Sequence, residues 1–140
     1  MATFSKSSLA KLELAHKDLQ KILKQAILEM DFTIVCSVRT KEEQFKLFQQ
    51  GRTLKDGEWV KTGTTVTNID GINKKSMHNY TPSLAVDLAP WPINWEDETR
   101  FNKLAQIIKR IASDNNIEIS WGGDWKSFKD LPHFELKNIK

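Results

Sequence analysis

The clearest pattern in this sequence is one amphipathic helix, predicted from Glu96 to Ala112. Its apolar residues recur at steps of three and four and form a single stripe: Phe101, Leu104, Ala105, Ile108, Ile111 and Ala112. Asn94 is the predicted N-cap, and Asn115 or Asn116 is the predicted end. Because such a stripe needs an apolar partner, the helix commits the chain to a layered fold with a buried interface.

Short apolar runs elsewhere in the chain are the natural partners of that helix. They predict strands at Phe32–Val38, Leu84–Leu88, Ile117–Trp121 and about Phe134–Leu136. Two more segments have helical periodicity, Ser7–Met30 and Lys41–Gln50, whereas Gly57–Asn79 reads as turns with a possible hairpin. Since strands and helices do not alternate in a strict βαβ rhythm, the sequence predicts an α+β fold with a small antiparallel sheet packed against helices.

Length and composition exclude several classes of protein. The chain has 140 residues, which predicts one domain over 1–140. A single cysteine excludes a scaffold built on intrachain disulfides. No apolar run approaches the roughly 18 residues of a membrane span, and the N-terminus lacks the features of a secretory signal. We therefore expect a protein made in the cytoplasm without a signal peptide and without membrane insertion.

The placement of the histidines is informative because there are only three. His16 lies in the first predicted helix, near its apolar stripe, and is expected to be an ordinary helix residue. His78 lies in a turn-rich stretch shortly before the strand that contains Asp87. An aspartate in an apolar strand needs a partner, so Asp87 either pairs with a cation such as lysine or binds a metal ion.

A second group surrounds His133, at the start of the last strand. Side chains alternate along a strand, so His133 and Glu135 share one face while Phe134 and Leu136 face the core. Asp130 precedes Pro132 in a turn that is able to bring its carboxylate to the same side. Glu135 is therefore a rival for any role assigned to Asp130.

Together, His78, Asp87 and His133 supply the nitrogen and oxygen donors of a catalytic zinc site. Three protein ligands leave a fourth position open for water, whereas a structural zinc site usually takes several cysteines. In this hypothesis Asp130 stays outside the ligand shell and accepts a proton from water. Cys36 lies mid-strand among apolar residues and is expected to be a small core residue.

Two stretches carry a family resemblance. Ser76-x-His78 followed by Ala85-Val86-Asp87 resembles the SxHxxGxAxD signature of the M15 metallopeptidases. Asp130-x-x-His133 resembles the second signature of that family, in which an acidic residue three positions before the last histidine is the base. The family includes D-alanyl-D-alanine carboxypeptidases, VanX-type dipeptidases and L-alanyl-D-glutamate endopeptidases. Two further stretches, around Arg39 and from Trp121 to Trp125, are similar to segments of the same family.

The resemblance implies roles for individual residues. His78, Asp87 and His133 match the zinc ligands, and Asp130 matches the base. Arg39 matches an arginine that holds the substrate carbonyl or carboxylate, a placement that would stabilise a developing oxyanion. The other matching residues, Ser76, Trp121 and Trp125, are expected to bind substrate or to support the ligands through hydrogen bonds. Glu135, which shares a strand face with His133, is expected to have a similar supporting role. Trp121 and Trp125 flank a glycine-rich turn and are expected to form the wall of a substrate groove.

The sequence departs from the signature between His78 and Asp87. The step is nine residues instead of seven, and Thr81-Pro82-Ser83 stands where the signature has its glycine. A short insertion in a loop is compatible with both residues keeping their positions, because loop extension has a small entropic effect.

The resemblance implies a zinc peptidase that acts on the stem peptides of bacterial peptidoglycan, and we expect this chain to be a monomer. A compact chain of this kind is most similar to phage endolysins that cut the L-alanyl-D-glutamate bond and reach the cell wall after release from the cytoplasm. The alternatives are a D-alanyl-D-alanine carboxypeptidase or dipeptidase, and a non-catalytic wall-binding module. A nucleic-acid-binding protein is disfavoured, because the net charge is only +3 and no basic cluster is present.

Overall fold

The computed structural model describes residues 2–127 and 129–137 of the chain. These residues contain four α-helices: α1 (Lys6–Glu13), α2 (Lys17–Ala26), α3 (Lys41–Gln49) and α4 (Glu98–Asp114). Six strands accompany them: β1 (Phe32–Cys36), β2 (Arg52–Lys55), β3 (Glu58–Lys61), β4 (Ala85–Pro90), β5 (Ile119–Trp121) and β6 (His133–Leu136). The α+β class with an antiparallel sheet is therefore confirmed.

The main sheet has four strands in the order β1-β4-β6-β5, and every neighbouring pair is antiparallel. Helix α4 packs on β4 and β5, α2 packs on α4, and α1 packs on β1. The predicted stripe of α4 is buried here, together with Val86, Leu88, Phe134 and Leu136 from the sheet. Because side chains alternate along a strand, Asp87 and His133 lie on the face opposite this core.

The prediction of one continuous helix over Ser7–Met30 is wrong, because the structure has two helices there, α1 and α2. Between them the amide of His16 donates to the Ser83 carbonyl oxygen, and the Ser83 amide donates to the Leu14 carbonyl oxygen. This long-range pairing interrupts the helix. His16 is consequently an N-cap residue of α2, where its Nδ1 accepts from the Asp18 amide at 3.0 Å.

Other element ends also differ from the prediction. Asp97, not Asn94, is the N-cap of α4, whereas the Asn94 side chain accepts from the Glu96 amide in the preceding turn. Strand β4 continues to Pro90, which is tolerated at the end of a strand because few ladder hydrogen bonds remain to be made there. A hairpin is present, but it begins before the predicted segment 57–79: β2 and β3 are joined by a two-residue turn with positive φ at Asp56 and Gly57.

Candidate metal centre

Strand pairing places two of the predicted site residues face to face. In the register of β4 and β6, Asp87 lies opposite His133 and Ala85 lies opposite Glu135. His133 Nδ1 is 3.3 Å from Asp87 Oδ1. The sequence pattern of two short alternating strands is therefore enough to bring these groups together once the strands pair in this register.

A turn supplies His78 to the same point. It lies in a short 3-10 helix, Met77–Asn79, in which the Ser76 hydroxyl accepts from the His78 amide and the Asn79 side chain accepts from the Ser76 amide. This reciprocal capping fixes the backbone of His78, whose side chain is buried. Ser76 thus contacts the backbone of His78 directly. His78 Nε2 lies 3.3 Å from Asp87 Oδ1, the oxygen that His133 also approaches.

The other nitrogen of each imidazole ring has a hydrogen-bond acceptor. His78 Nδ1 donates to the Ser37 carbonyl oxygen at 2.7 Å, and His133 Nε2 donates to Glu135 Oε1 at 2.7 Å. In a neutral ring these bonds fix the proton on the outer nitrogen. The nitrogens that face Asp87 then carry lone pairs available to a metal ion.

Two atoms at the centre of this cluster lack a hydrogen-bond partner. Within residues 2–127 and 129–137, the buried side-chain atoms without one are Ser37 Oγ, His78 Nε2 and Asp87 Oδ1. Buried polar atoms are normally satisfied, so two such atoms in one site need an explanation. Ligands of a tetrahedral zinc ion lie about 3.4 Å from one another when each bond is about 2.1 Å. The 3.3 Å separations therefore fit a zinc ion.

Asp87 is shared by two sets of ligand atoms. Within each set the atoms lie within 4.8 Å of one another, and the sets are Cys36–His78–Asp87 and Asp87–Asp130–His133. Cys36 is therefore beside the site, and its prediction as a core residue is wrong. The strand register shifts between Ile34 and Cys36, so both Ile34 and Cys36 pair with adjacent β4 residues and Val35 is extra. Such a bulge re-aims the following side chain, which simple alternation does not anticipate.

Mutual electrostatics shift the pKa values of the central groups. Burial alone would lower the pKa of His78, but the nearby Asp87 carboxylate, assisted by Cys36, raises it to about 9. Burial also opposes ionisation of Asp87, yet His133 and His78 hold the pKa of this carboxyl well below its usual range. The pKa of His133 is raised as well, because Asp87 and Glu135 outweigh its burial. Without a metal ion, the cluster therefore favours protonated histidines around an ionised aspartate.

Asp130 approaches the cluster from the turn before β6. Its backbone rests on Gly122: the Asp130 amide donates to the Gly122 carbonyl oxygen at 3.0 Å, and a Cβ on Gly122 would come within 2.2 Å of the Asp130 carbonyl oxygen. Burial, followed by repulsion from Asp87, raises the pKa of the Asp130 carboxyl. Glu135 differs because its carboxylate already accepts from His133.

Arg39 lies on the other side of Asp87. Its Nη2 is 3.3 Å from Asp87 Oδ2, so the aspartate presents one oxygen to the histidines and the other to the guanidinium group. The Arg39 amide also donates to the His78 carbonyl oxygen at 2.8 Å. The structure therefore brings Arg39 to the centre, as the resemblance implies.

The two tryptophans have different environments. The ring of Trp125 packs against that of His133, with centroids 5.0 Å apart, and Trp125 remains partly exposed. Trp121 is only 5% exposed, belongs to the apolar core and donates its Nε1 to the Leu131 carbonyl oxygen. The predicted groove wall is therefore wrong for Trp121, because α4 and β6 cover its ring. Through Leu131 it supports the turn that carries Asp130.

The departure between His78 and Asp87 does not disturb these contacts. Thr81 and Pro82 are exposed, so the added length lies at the surface. Ser83, which takes the place of the signature glycine, is fully buried, and its hydroxyl lies 2.7 Å from the Ser37 carbonyl oxygen that also accepts from His78.

Comparisons with known proteins identify the family of the chain. The chain is 34% identical over 113 residues to the peptidoglycan L-alanyl-D-glutamate endopeptidase CwlK of Bacillus subtilis (strain 168); the match covers 76% of this chain and spans 61% of the length of that relative. Its fold is similar to the crystal structure of Serratia marcescens L-Ala D-Glu endopeptidase ChiX, with a TM-score of 0.71 and 24% identity over 96% of this chain and 89% of that one. Residues 1–138 match the family described as phage L-alanyl-D-glutamate peptidase. The chain belongs to this family.

Proposed function

We propose that this chain is a zinc-dependent peptidoglycan peptidase that cleaves the L-alanyl-D-glutamate bond of the stem peptide. One observation carries the proposal: His78 Nε2 and Asp87 Oδ1 are buried without hydrogen-bond partners in a chain that belongs to a peptidase family. The name of the relative CwlK supports the choice of bond. We further propose that residues 1–140 act as one domain and one monomer.

His78, Asp87 and His133 would hold the zinc ion, through the atoms that converge in the structure. When bound, zinc would polarise the scissile carbonyl and make the attacking water more acidic. The hydrogen bonds from His78 to Ser37 and from His133 to Glu135 keep the lone pairs directed inward. Cys36 stays outside this set, since its Sγ lies beside His78 Nδ1, the nitrogen already bonded to Ser37.

Asp130 is proposed as the general base. It belongs to the same set of ligand atoms as Asp87 and His133, and its raised pKa moves it toward the range in which a base works well near neutral pH. Asp130 takes a proton from the attacking water and passes it to the leaving amine of D-glutamate. Glu135 is the weaker candidate because it is bonded to His133.

Arg39 is proposed to stabilise the oxyanion that forms on the scissile carbonyl. Its guanidinium group is side by side with Asp87 and only 17% exposed, so its charge acts in a poorly hydrated environment. Trp125, packed on the His133 ring, is proposed as one wall of the substrate groove.

The proposed site of action is the bacterial cell wall, after synthesis in the cytoplasm and release. Within the described residues, no helix is long and apolar enough to cross a membrane.

The deciding experiment is mass spectrometry of purified peptidoglycan after digestion. The protein is used as purified, after treatment with a chelator, and after zinc is restored. The proposal requires metal-dependent release of stem peptides that begin with a free D-glutamate amine. Loss of a terminal D-alanine alone would replace the endopeptidase assignment with a carboxypeptidase. An unchanged wall with bound zinc would replace it with a non-catalytic wall-binding module.

A further inference from the structure

Gln44 is a buried polar residue outside the metal-binding groups. It lies in α3 and is only 1% exposed, although its neighbours Glu42 and Glu43 are at the surface. Both ends of its amide are used. Oε1 accepts from Arg39 Nη1 at 2.9 Å, and Nε2 donates to the Ile69 carbonyl oxygen at 2.9 Å. Gln44 therefore connects the site arginine to a loop that is distant in the sequence.

The hydrogen bond from Arg39 to Gln44 helps to hold the guanidinium group in one orientation. Nη1 is held by Gln44, while Nη2 lies 3.3 Å from Asp87 Oδ2 and 3.6 Å from Cys36 Sγ. A guanidinium group is planar, so holding its two terminal nitrogens at different partners fixes both its position and the direction of its plane.

The loop is fitted closely to the other side of Gln44. Gly71 has a φ of +79°, and a Cβ on it would lie 2.9 Å from Gln44 Cβ and 3.0 Å from the Lys41 carbonyl oxygen. The Asp70 carboxylate holds the loop in shape by accepting from the amides of Ile72, Asn73 and Lys74. Gln44 thus lies between this hydrogen-bonded turn and Arg39.

We propose that Gln44 is a positioning residue that holds Arg39 in the orientation needed at the scissile carbonyl. This inference rests on the proposed function, in which Arg39 stabilises the oxyanion. Within the described residues, the side-chain amide of Gln44 bonds to Arg39 and Ile69 and not to the proposed zinc ligands or Asp130, so Gln44 acts through Arg39. Its loss should leave metal binding intact and weaken an interaction that matters only in the transition state.

The first test is Gln44→Leu, which keeps the volume and removes both hydrogen bonds. We expect kcat to fall by roughly 10- to 100-fold while KM and zinc content stay close to those of the wild type, because small misplacements have effects of this size. Ser8→Ala is the matched control: Ser8 is also 1% exposed, and its hydroxyl contacts Thr33 and the Ile34 amide, neither of which is a proposed site residue. Gln44→Met replaces the leucine variant if that variant does not fold.

A double-mutant cycle separates positioning from general stability. If Gln44 acts only through Arg39, adding Gln44→Leu to Arg39→Ala should change kcat by less than about twofold, since the group being positioned is already absent. A further loss as large as that in the wild-type background would overturn the inference.

A second readout does not depend on activity. In the metal-free protein, the two Nη groups of Arg39 should give separate ¹⁵N NMR signals, because Gln44 and Asp87 restrict rotation of the guanidinium group. Gln44→Leu should merge or broaden them, and unchanged signals would contradict the inference. If the wild type released no stem peptides yet these signals responded as expected, the proposed function would fail and the positioning of Arg39 by Gln44 would stand.

Discussion

Strand pairing holds Asp87 and His133, whereas turns hold His78 and Asp130. The first pair lies face to face in the register of β4 and β6, inside a sheet covered by α4. The second pair depends on a capped 3-10 helix and on a turn seated against Gly122. Paired strands place side chains by a repeating geometry, but each turn needs its own local devices.

This difference predicts how substitutions in the strands and in the turns should affect metal binding and catalysis. Substitutions in β4 or β6 remove a proposed metal ligand from the paired strands. Substitutions in or beside the turn before β6 leave the strand pairing intact and change or displace the Asp130 carboxylate. The following variants are arranged from the largest expected effect to the smallest.

Replacing a strand-borne donor should have the largest effect. His133→Ala is expected to abolish both zinc retention and release of stem peptides, because it removes one of three proposed ligands. Metal content after dialysis and mass spectrometry of digested peptidoglycan measure the two properties. Glu58→Gln, in the exposed hairpin, serves as the control. Full zinc content in His133→Ala would show that His133 is not a ligand.

Replacing the turn-borne carboxylate should separate chemistry from metal binding. Asp130→Asn is expected to retain zinc and to lose roughly 100- to 10,000-fold in kcat, the range typical of a lost general base. Single-turnover rates and metal content measure the separation. A fully active Asp130→Asn would make Glu135 the candidate base instead.

Disturbing only the contact between Gly122 and the backbone of Asp130 should reduce kcat by a smaller factor. In Gly122→Ala, the new Cβ would meet the Asp130 carbonyl oxygen at 2.2 Å, so the Asp130 backbone must move. We expect zinc to be retained and kcat to fall by about 10- to 100-fold. Gly63→Ala is the matched control, since its nearest neighbour, the Gly51 Cα, lies at 3.6 Å. Equal activity in the two variants would mean that the contact with Gly122 does not position Asp130.

The smallest effect concerns the stability of the metal-free protein. Because the folded state raises the pKa of His78 from 6.5 to about 9, its stabilising contribution is complete below pH 6.5 and is lost as the pH rises through about 9. The melting temperature should fall across this interval, and the stabilisation by added zinc should grow, since protons and zinc compete for the ring. Thermal denaturation of wild type and His78→Gln checks this, because the variant should show a smaller fall, with only the raised pKa of His133 left to cause it.

Strand alternation and helical periodicity predicted much of the sheet and helix that support the site. Alternation alone placed Phe134 and Leu136 in the core, with His133 and Glu135 on the other face, and the structure has this arrangement. The apolar stripe of α4 likewise predicted a buried helix. These features depend on the period of a strand or a helix, which is legible in a short stretch of residues.

Contacts between distant segments decided the rest. Ser83 interrupts the first helix through its bonds to Leu14 and His16, and the bulge after Ile34 turns Cys36 toward the site. Likewise, α4 and β6 bury Trp121, and Gln44 joins Arg39 to Ile69. The sequence by itself determined which donor types were available and, for the regular strands β4 and β6, on which faces they lay. Only the tertiary structure decided which carbonyl, carboxylate or amide each donor met, because hydrogen bonds between segments far apart in the chain have no local periodicity to reveal them.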